Sequence, residues 1–238
     1  MMMMKTMREE SFFFLAVGFF SGELVSIIID AANLAKGNTL VPYFIQKNCK
    51  KPVILSFFME IQKTPIQGLL ILKPRVAYDP RGYFYESYRK DLFDELGIND
   101  TFVQDNQSLS QKGILRGLHF QAPPHAQGKL VRVIAGAVLD VVVDIRKASP
   151  TYGQQFSITL TSENLLQFWV PLGFAHGFLT LEDNTIFAYK CTNYYNKSSE
   201  GGIRWNDPAL GIDWNVENPL LSDKDKLTPL FQDFDSPF

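Results

Sequence analysis

From about residue 59 onward the chain runs in short stretches where apolar and polar side chains alternate. That is the period of a strand with one face against a core. Phe156, Ile158 and Leu160 alternate with Ser157, Thr159 and Thr161, which predicts the first three inward and the second three outward. Leu139, Val141, Val143 and Ile145 share one face of a second strand, and Asp140, Asp144 and Arg146 share the other. A third strand over Thr185–Thr192 puts Phe187, Tyr189 and Cys191 on one side. Turn signals separate such stretches: Asp79-Pro-Arg-Gly82, Ser149-Pro150, Pro171-Leu-Gly173 and Gly201-Gly202. One short helix is predicted over Asp91–Leu96, where Leu92, Phe93 and Leu96 recur at helical spacing and Gly97 supplies a stop. Many short strands with turns between them define an all-β sandwich or barrel with few helices. Neither a Gly-rich phosphate loop nor a dinucleotide-binding βαβ unit is present, and no linker interrupts the pattern.

The first 58 residues do not share this pattern. Their uncharged run, Ser11 to Gly22, is too short for a spanning helix. Lys5 and Arg8 ahead of it would suit a signal peptide, but Glu9 and Glu10 directly precede the run and no A-x-A-like cleavage site follows. We read 1–58 as an apolar extension, accessory or spurious, and 59–238 as one domain, with Met59 as the alternative initiator.

Charge and composition narrow the partners. Against 25 acidic side chains stand 23 basic ones, so there is no basic excess to neutralise a nucleic-acid polymer. The 20 Phe and 9 Tyr supply apolar area enough to exclude a disordered chain. Cys49 and Cys191 are the only cysteines, which excludes a disulfide framework and makes a reducing compartment the default. His119, His125 and His176 are the only histidines, so any histidine chemistry uses one of them.

Four polar clusters interrupt the strand pattern. In the densest, Gly113–Lys129, Arg116 and His119 would fall on opposite faces of a regular strand, unless the chain bulges at Gly117. A lone histidine there reads as a hydrogen-bonded core or edge residue; Lys129 nearby and the three other clusters favour chemistry. Gln104, Asp105 and Asn106 make a poor core strand and would otherwise be an exposed turn. His176 lies among aromatics between Gly173 and Gly177, and Tyr189 precedes a polar run reaching Trp205. A metal set built on His119 and His125 lacks the His-x-His spacing of metal-binding cupins, since position 121 is Gln, and Pro123-Pro124 breaks the strand. No metal is therefore expected.

These segments, taken together, resemble the dTDP-4-dehydrorhamnose 3,5-epimerase family. The resemblance rests on Leu115-Arg-Gly-Leu-His-Phe-Gln121, Ala126-Gln-Gly-Lys-Leu-Val-Arg132, Asp79-Pro-Arg-Gly-Tyr-Phe-Tyr-Glu86 and Phe102-Val-Gln-Asp-Asn106. Ser149-Pro-Thr-Tyr-Gly153, Pro171-Leu-Gly-Phe-Ala-His-Gly-Phe178 and Gly201-Gly-Ile-Arg-Trp-Asn-Asp207 complete it, in order, from about Thr64 to about Pro229. It implies a cupin-type jelly roll, a homodimer whose subunits complete each other's sites, no metal or organic cofactor, no membrane, and a cytoplasmic place. The implied substrate is a dTDP-sugar, dTDP-4-dehydro-6-deoxy-glucose, inverted at C3 and C5. By resemblance His119 is the base, Asp225 its orienting carboxylate (with Asp223 as competitor), Lys129 the enolate stabiliser and Tyr189 the acid. His176 matches a second site histidine. Arg81, Glu86, Gln104, Asp105, Asn106, Arg116, Glu200 and Lys224 match substrate contacts, and Asp140 and Tyr195 match either site or structural residues. A one-carbon epimerase or 4-ketosugar isomerase, a non-catalytic sugar-binding cupin and a metal-dependent cupin oxygenase remain the alternatives.

Overall fold

The computed structural model describes residues 59–238 and, before them, the backbone of three strands. The chain divides into two compact units, Met1–Ile54 and Leu55–Phe238. In the first, β1 (Phe13–Phe20), β2 (Glu23–Asp30) and β3 (Tyr43–Ile45) form an antiparallel sheet in that order. The readings of 1–58 as an extension, of a signal peptide, and of Met59 as the start fall on residues otherwise outside those described.

The second unit begins with β4 (Met59–Lys63), β5 (Leu70–Pro74) and the hairpin β6 (Ala77–Asp79) and β7 (Gly82–Phe84). Helix α1 (Lys90–Glu95) follows, shifted by one residue from the predicted span, with Gly97 in the left-handed region as its stop. Then come β8 (Gln104–Ser110), β9 (Leu115–Gln121), β10 (Lys129–Ala135), β11 (Ala137–Asp144), β12 (Gln155–Thr161) and β13 (Gln167–Val170). The last elements are β14 (Phe174–Thr180), β15 (Thr185–Cys191), β16 (Glu200–Gly202) and the short helix α2 (Asp223–Lys226).

Two antiparallel sheets carry this unit, ordered β4-β5-β13-β10-β15-β8 and β12-β11-β14-β9-β16. Their facing sides share one core: Val131, Val133, Phe168 and Phe187 from the first, and Val138, Val142, Leu160, Phe174 and Phe178 from the second. Each such side chain contributes about 1.5–3 kcal/mol by leaving water. The outer side of the five-stranded sheet is covered as well. Leu115, Leu118, Phe120, Val141, Val143 and Leu179 pack there against Ile203, Leu210 and Trp214 of the C-terminal segment. The sheet is thus buried on both faces, and β11 and β14 are buried almost throughout. The arrangement is the all-β sandwich expected from the alternation, of the cupin type that the resemblance implies. Gly201 and Gly202 differ from expectation: they lie in β16, not in a turn. A Cβ on Gly201 would come within 2.3 Å of the Phe120 ring, so the glycines serve close strand packing.

Candidate active site

The site is built on the inner faces where the two sheets part. On the five-stranded sheet, His119 of β9 lies directly across from His176 of β14. The register slips between His176 and Phe178, so that Arg116 pairs with Phe178 two positions along β14 but three along β9. That is a bulge at Gly117, and it returns Arg116 to the His119 face. Glycine is required on both sides of it. A Cβ on Gly117, where φ is +139°, would meet the Gly177 Cα at 2.5 Å, and one on Gly177 would meet the Arg116 carbonyl at 2.8 Å.

His119 Nε2 bonds Asp225 Oδ1 at 2.5 Å. The Ser222 hydroxyl caps α2 by accepting from the Asp225 N–H, which turns the carboxylate inward until its side chain is 3% exposed. Asp223, the sequence competitor, is 97% exposed and pairs with Lys226. Burial alone would raise the Asp225 carboxyl, but the hydrogen bond and charge of His119, with Ser222, hold it below its ordinary value. Behind His119, His176 Nε2 bonds both oxygens of buried Asp140, at 3.1 and 2.9 Å. Burial raises the Asp140 carboxyl, and His176 opposes the shift. His176 pairs with Val142, so Asp140 is its diagonal neighbour on the same inner face.

The six-stranded sheet faces this pair with Lys129, Tyr189 and Cys191. Lys129 pairs with Cys191, and Val131 with Tyr189, across β10 and β15. The Lys129 Nζ lies 5.9 Å from the Tyr189 ring centre, with no ion-pair partner among the described residues. Burial lowers the Lys129 ammonium, and Cys191, Asp140 and Glu200 resist that. Burial raises the Tyr189 phenol and the Cys191 thiol, so both are neutral at pH 7. Phe187 joins the two walls, 5.9 Å from Tyr189 and 6.3 Å from the His176 ring.

At the rim, Glu200 forms an ion pair with Lys224 and accepts from the Tyr195 hydroxyl at 3.1 Å. Burial would raise the Glu200 carboxyl, and Lys224 holds it below its ordinary value. Gln104 and Asn106 of β8 lie on the Tyr189 side and hydrogen-bond each other at 3.0 Å. Arg116 reaches Ser110 at 3.3 Å and acts on the Tyr189 phenol by its charge. Three expected contacts lie apart from this cluster. Asp105 alternates to the outer face of β8, where it pairs with Lys190. Arg81 sits at the tip of the exposed β6–β7 hairpin, its side chain 89% exposed beside Asp79, and Glu86 pairs with Arg89. The cluster also contains Cys191, which sequence reasoning left out. Its two-residue spacing from Tyr189 was the available signal.

His125 bonds Ser199 Oγ at 2.9 Å and contacts Asn196, a structural tie. Among the described residues, no three His, Cys, Asp or Glu side chains converge so as to hold a metal ion. Nor is any described helix long and apolar enough to cross a membrane.

A cupin-type sandwich lined by a carboxylate-paired histidine, facing a half-buried lysine and a neutral tyrosine, has the groups that moving a proton beside a carbonyl would require. The family model for dTDP-4-dehydrorhamnose 3,5-epimerase matches residues 63–233. An enzyme of that name from Salmonella typhimurium is 56% identical over 174 residues, 72% of this chain and 95% of the relative. A Legionella pneumophila dTDP-6-deoxy-D-glucose-3,5-epimerase, solved with dTDP-4-keto-L-rhamnose, superposes with a TM-score of 0.72 at 52% identity, covering 74% of this chain and 95% of that one. A 3'-monoepimerase from Streptomyces bikiniensis, solved with dTDP-quinovose, gives 0.67 at 32% identity, covering 71% and 86%. The chain belongs to the dTDP-4-dehydrorhamnose 3,5-epimerase family of isomerases.

Proposed function

We propose that this protein inverts C3 and C5 of dTDP-4-dehydro-6-deoxy-D-glucose to give dTDP-4-dehydro-L-rhamnose, with His119 as base and Tyr189 as acid. The observation that carries the residue roles is the His119–Asp225 pair on one wall, with Lys129 and Tyr189 on the other. The C4 ketone acidifies the protons on C3 and C5, because either carbanion spreads onto the ketone oxygen as an enolate. With Asp225 accepting from Nε2–H, the His119 Nδ1 carries the lone pair that takes the proton. The Lys129 ammonium stabilises the charge that develops on the enolate oxygen, where a water-poor site makes it most effective. Tyr189, kept neutral by burial, returns a proton from the opposite side. His176, fixed by Asp140, helps hold the sugar.

Arg116, Gln104, Asn106, Glu200 and Lys224 form the rim for the nucleotide, with the Arg116 guanidinium suited to the diphosphate. Arg81, Glu86 and Asp105 complete the set in a homodimer. In this reading the β6–β7 hairpin, whose Tyr78 and Phe84 are each 72% exposed, reaches the partner's site. The substrate class goes with a cytoplasmic enzyme using no metal or organic cofactor.

The test is proton NMR of the substrate incubated in D₂O with chelator-treated protein. Deuterium at both C3 and C5, with L-configured product, is expected. Deuterium at one carbon only would reassign the protein to a single-site epimerase, and no exchange by folded protein would leave a binding role.

A further inference from the structure

The amides beside Tyr189 form a chain whose direction is fixed from one end. The Tyr195 backbone N–H can only donate, and the Gln104 side-chain atom 2.9 Å from it must therefore be Oε1. The other end of that amide is then Nε2, a donor, and the Asn106 atom 3.0 Å away must be Oδ1. The Asn106 Nδ2 consequently faces β15, donating one hydrogen to Cys191 Sγ at 3.7 Å. Its second hydrogen has Tyr189 directly across the strand pair, since Asn106 and Tyr189 are register partners. The anchor itself is held from both sheets. Gln104 takes the Tyr195 N–H, and Gln121 of the opposite sheet takes the Asn196 N–H at 2.7 Å.

We propose that Gln104 and Asn106 are positioning residues for the proton donor: their one-way relay makes the Tyr189 oxygen an acceptor toward Asn106 and so aims its own proton at the sugar. A phenol has a single proton. An amide carbonyl facing it would capture that proton, whereas an amide N–H facing it leaves the proton for the reaction and stabilises the phenolate left behind. Burial raises the Tyr189 phenol, and Asn106 acts on it in the opposite direction, as a donor to its oxygen does. Cys191 matters here as a weak acceptor that holds the first Nδ2 hydrogen without competing for the Tyr189 proton. The proposal rests on the reading of Tyr189 as the acid.

The experiment is Gln104→Glu, measured at saturating substrate as the ratio of product formed to deuterium washed into recovered substrate. At neutral pH the introduced carboxylate accepts on both oxygens, so Asn106 must turn its Nδ2 toward it and its Oδ1 toward Tyr189. Proton removal continues while delivery fails, and the ratio falls about tenfold or more. As pH is lowered and the introduced carboxyl protonates, it regains one acceptor and one donor, and the ratio recovers toward the wild-type value. Should Gln104→Glu fail to fold, Asn106→Asp places the same reversal one residue nearer Tyr189 and is read in the same way. A folded variant with a wild-type ratio at all pH values, or one in which only KM changes, would overturn the relay. Separately, wild-type product formation by Tyr189→Phe would overturn the acid reading itself. Loss of product in Tyr189→Phe with an unaltered ratio in Gln104→Glu would overturn the relay alone.

Discussion

At the scale of single residues, the tightest determinant of the site is which carboxylate reaches His119. Replacing Asp225 by Asn keeps the volume but removes the anionic acceptor that fixes the Nε2–H tautomer. We expect kcat to fall by about 100-fold or more with the fold retained, as measured by turnover assay and circular dichroism. Because His119 and Ser222 hold the Asp225 carboxyl below its ordinary value, its ionisation leaves no acid limb in the pH–rate profile near neutrality. The sequence carried His119, Lys129, Tyr189 and Asp225 through ordered motifs. It left Asp223 as competitor because the choice depends on how α2 is rotated, and the Ser222 cap sets that rotation. Cys191 was legible on the Tyr189 face of its strand but not as part of the site, because its neighbours, not its own chemistry, bring it there.

Elements show where a pattern of alternation is sufficient and where it is not. The faces of β11 were legible, since Asp140 and Asp144 do lie opposite Val141 and Val143. Nothing in the alternation signals that both faces are buried, because the covering layer comes from residues 203–238, far along the chain. Buried Asp144 accepts from Arg146, Ser149 Oγ and Thr151 Oγ1, which clasps the turn from β11 to β12. Burial alone would raise this carboxyl, but those donors bring it down to about 2. Its folded value is depressed, so its contribution is complete above the unfolded value near 3.8 and is lost as pH falls through about 2. Asp144→Asn should cost about 2 kcal/mol at pH 7, or about 4–8 °C in Tm. In thermal melts at several pH values, the gap from wild type should narrow below pH about 4.

For the whole molecule, the hairpin carrying Arg81 is the part whose purpose the single chain does not supply. The Asp79-Pro-Arg-Gly82 turn was evident in the sequence, and a turn signal specifies a bend without specifying what lies beyond its tip. If Arg81 serves the partner's site in the proposed homodimer, His119→Ala and Arg81→Ala should each be nearly inactive alone. Mixed and allowed to exchange subunits, they should recover activity at about a quarter of the sites, since half the dimers are mixed and each has one intact site. Failure to complement would place Arg81 and His119 in the same subunit's site.

The His119–Asp225 pair also has a consequence in time. The two residues are separated by 106 positions, so at about 5–20 residues per second the ribosome adds the carboxylate roughly 5–20 s after the histidine. Every strand of both sheets ends by Gly202, so a chain cut short ahead of α2 carries the histidine without its carboxylate. In the proposed mechanism, such a chain has the base before it has the group that orients it.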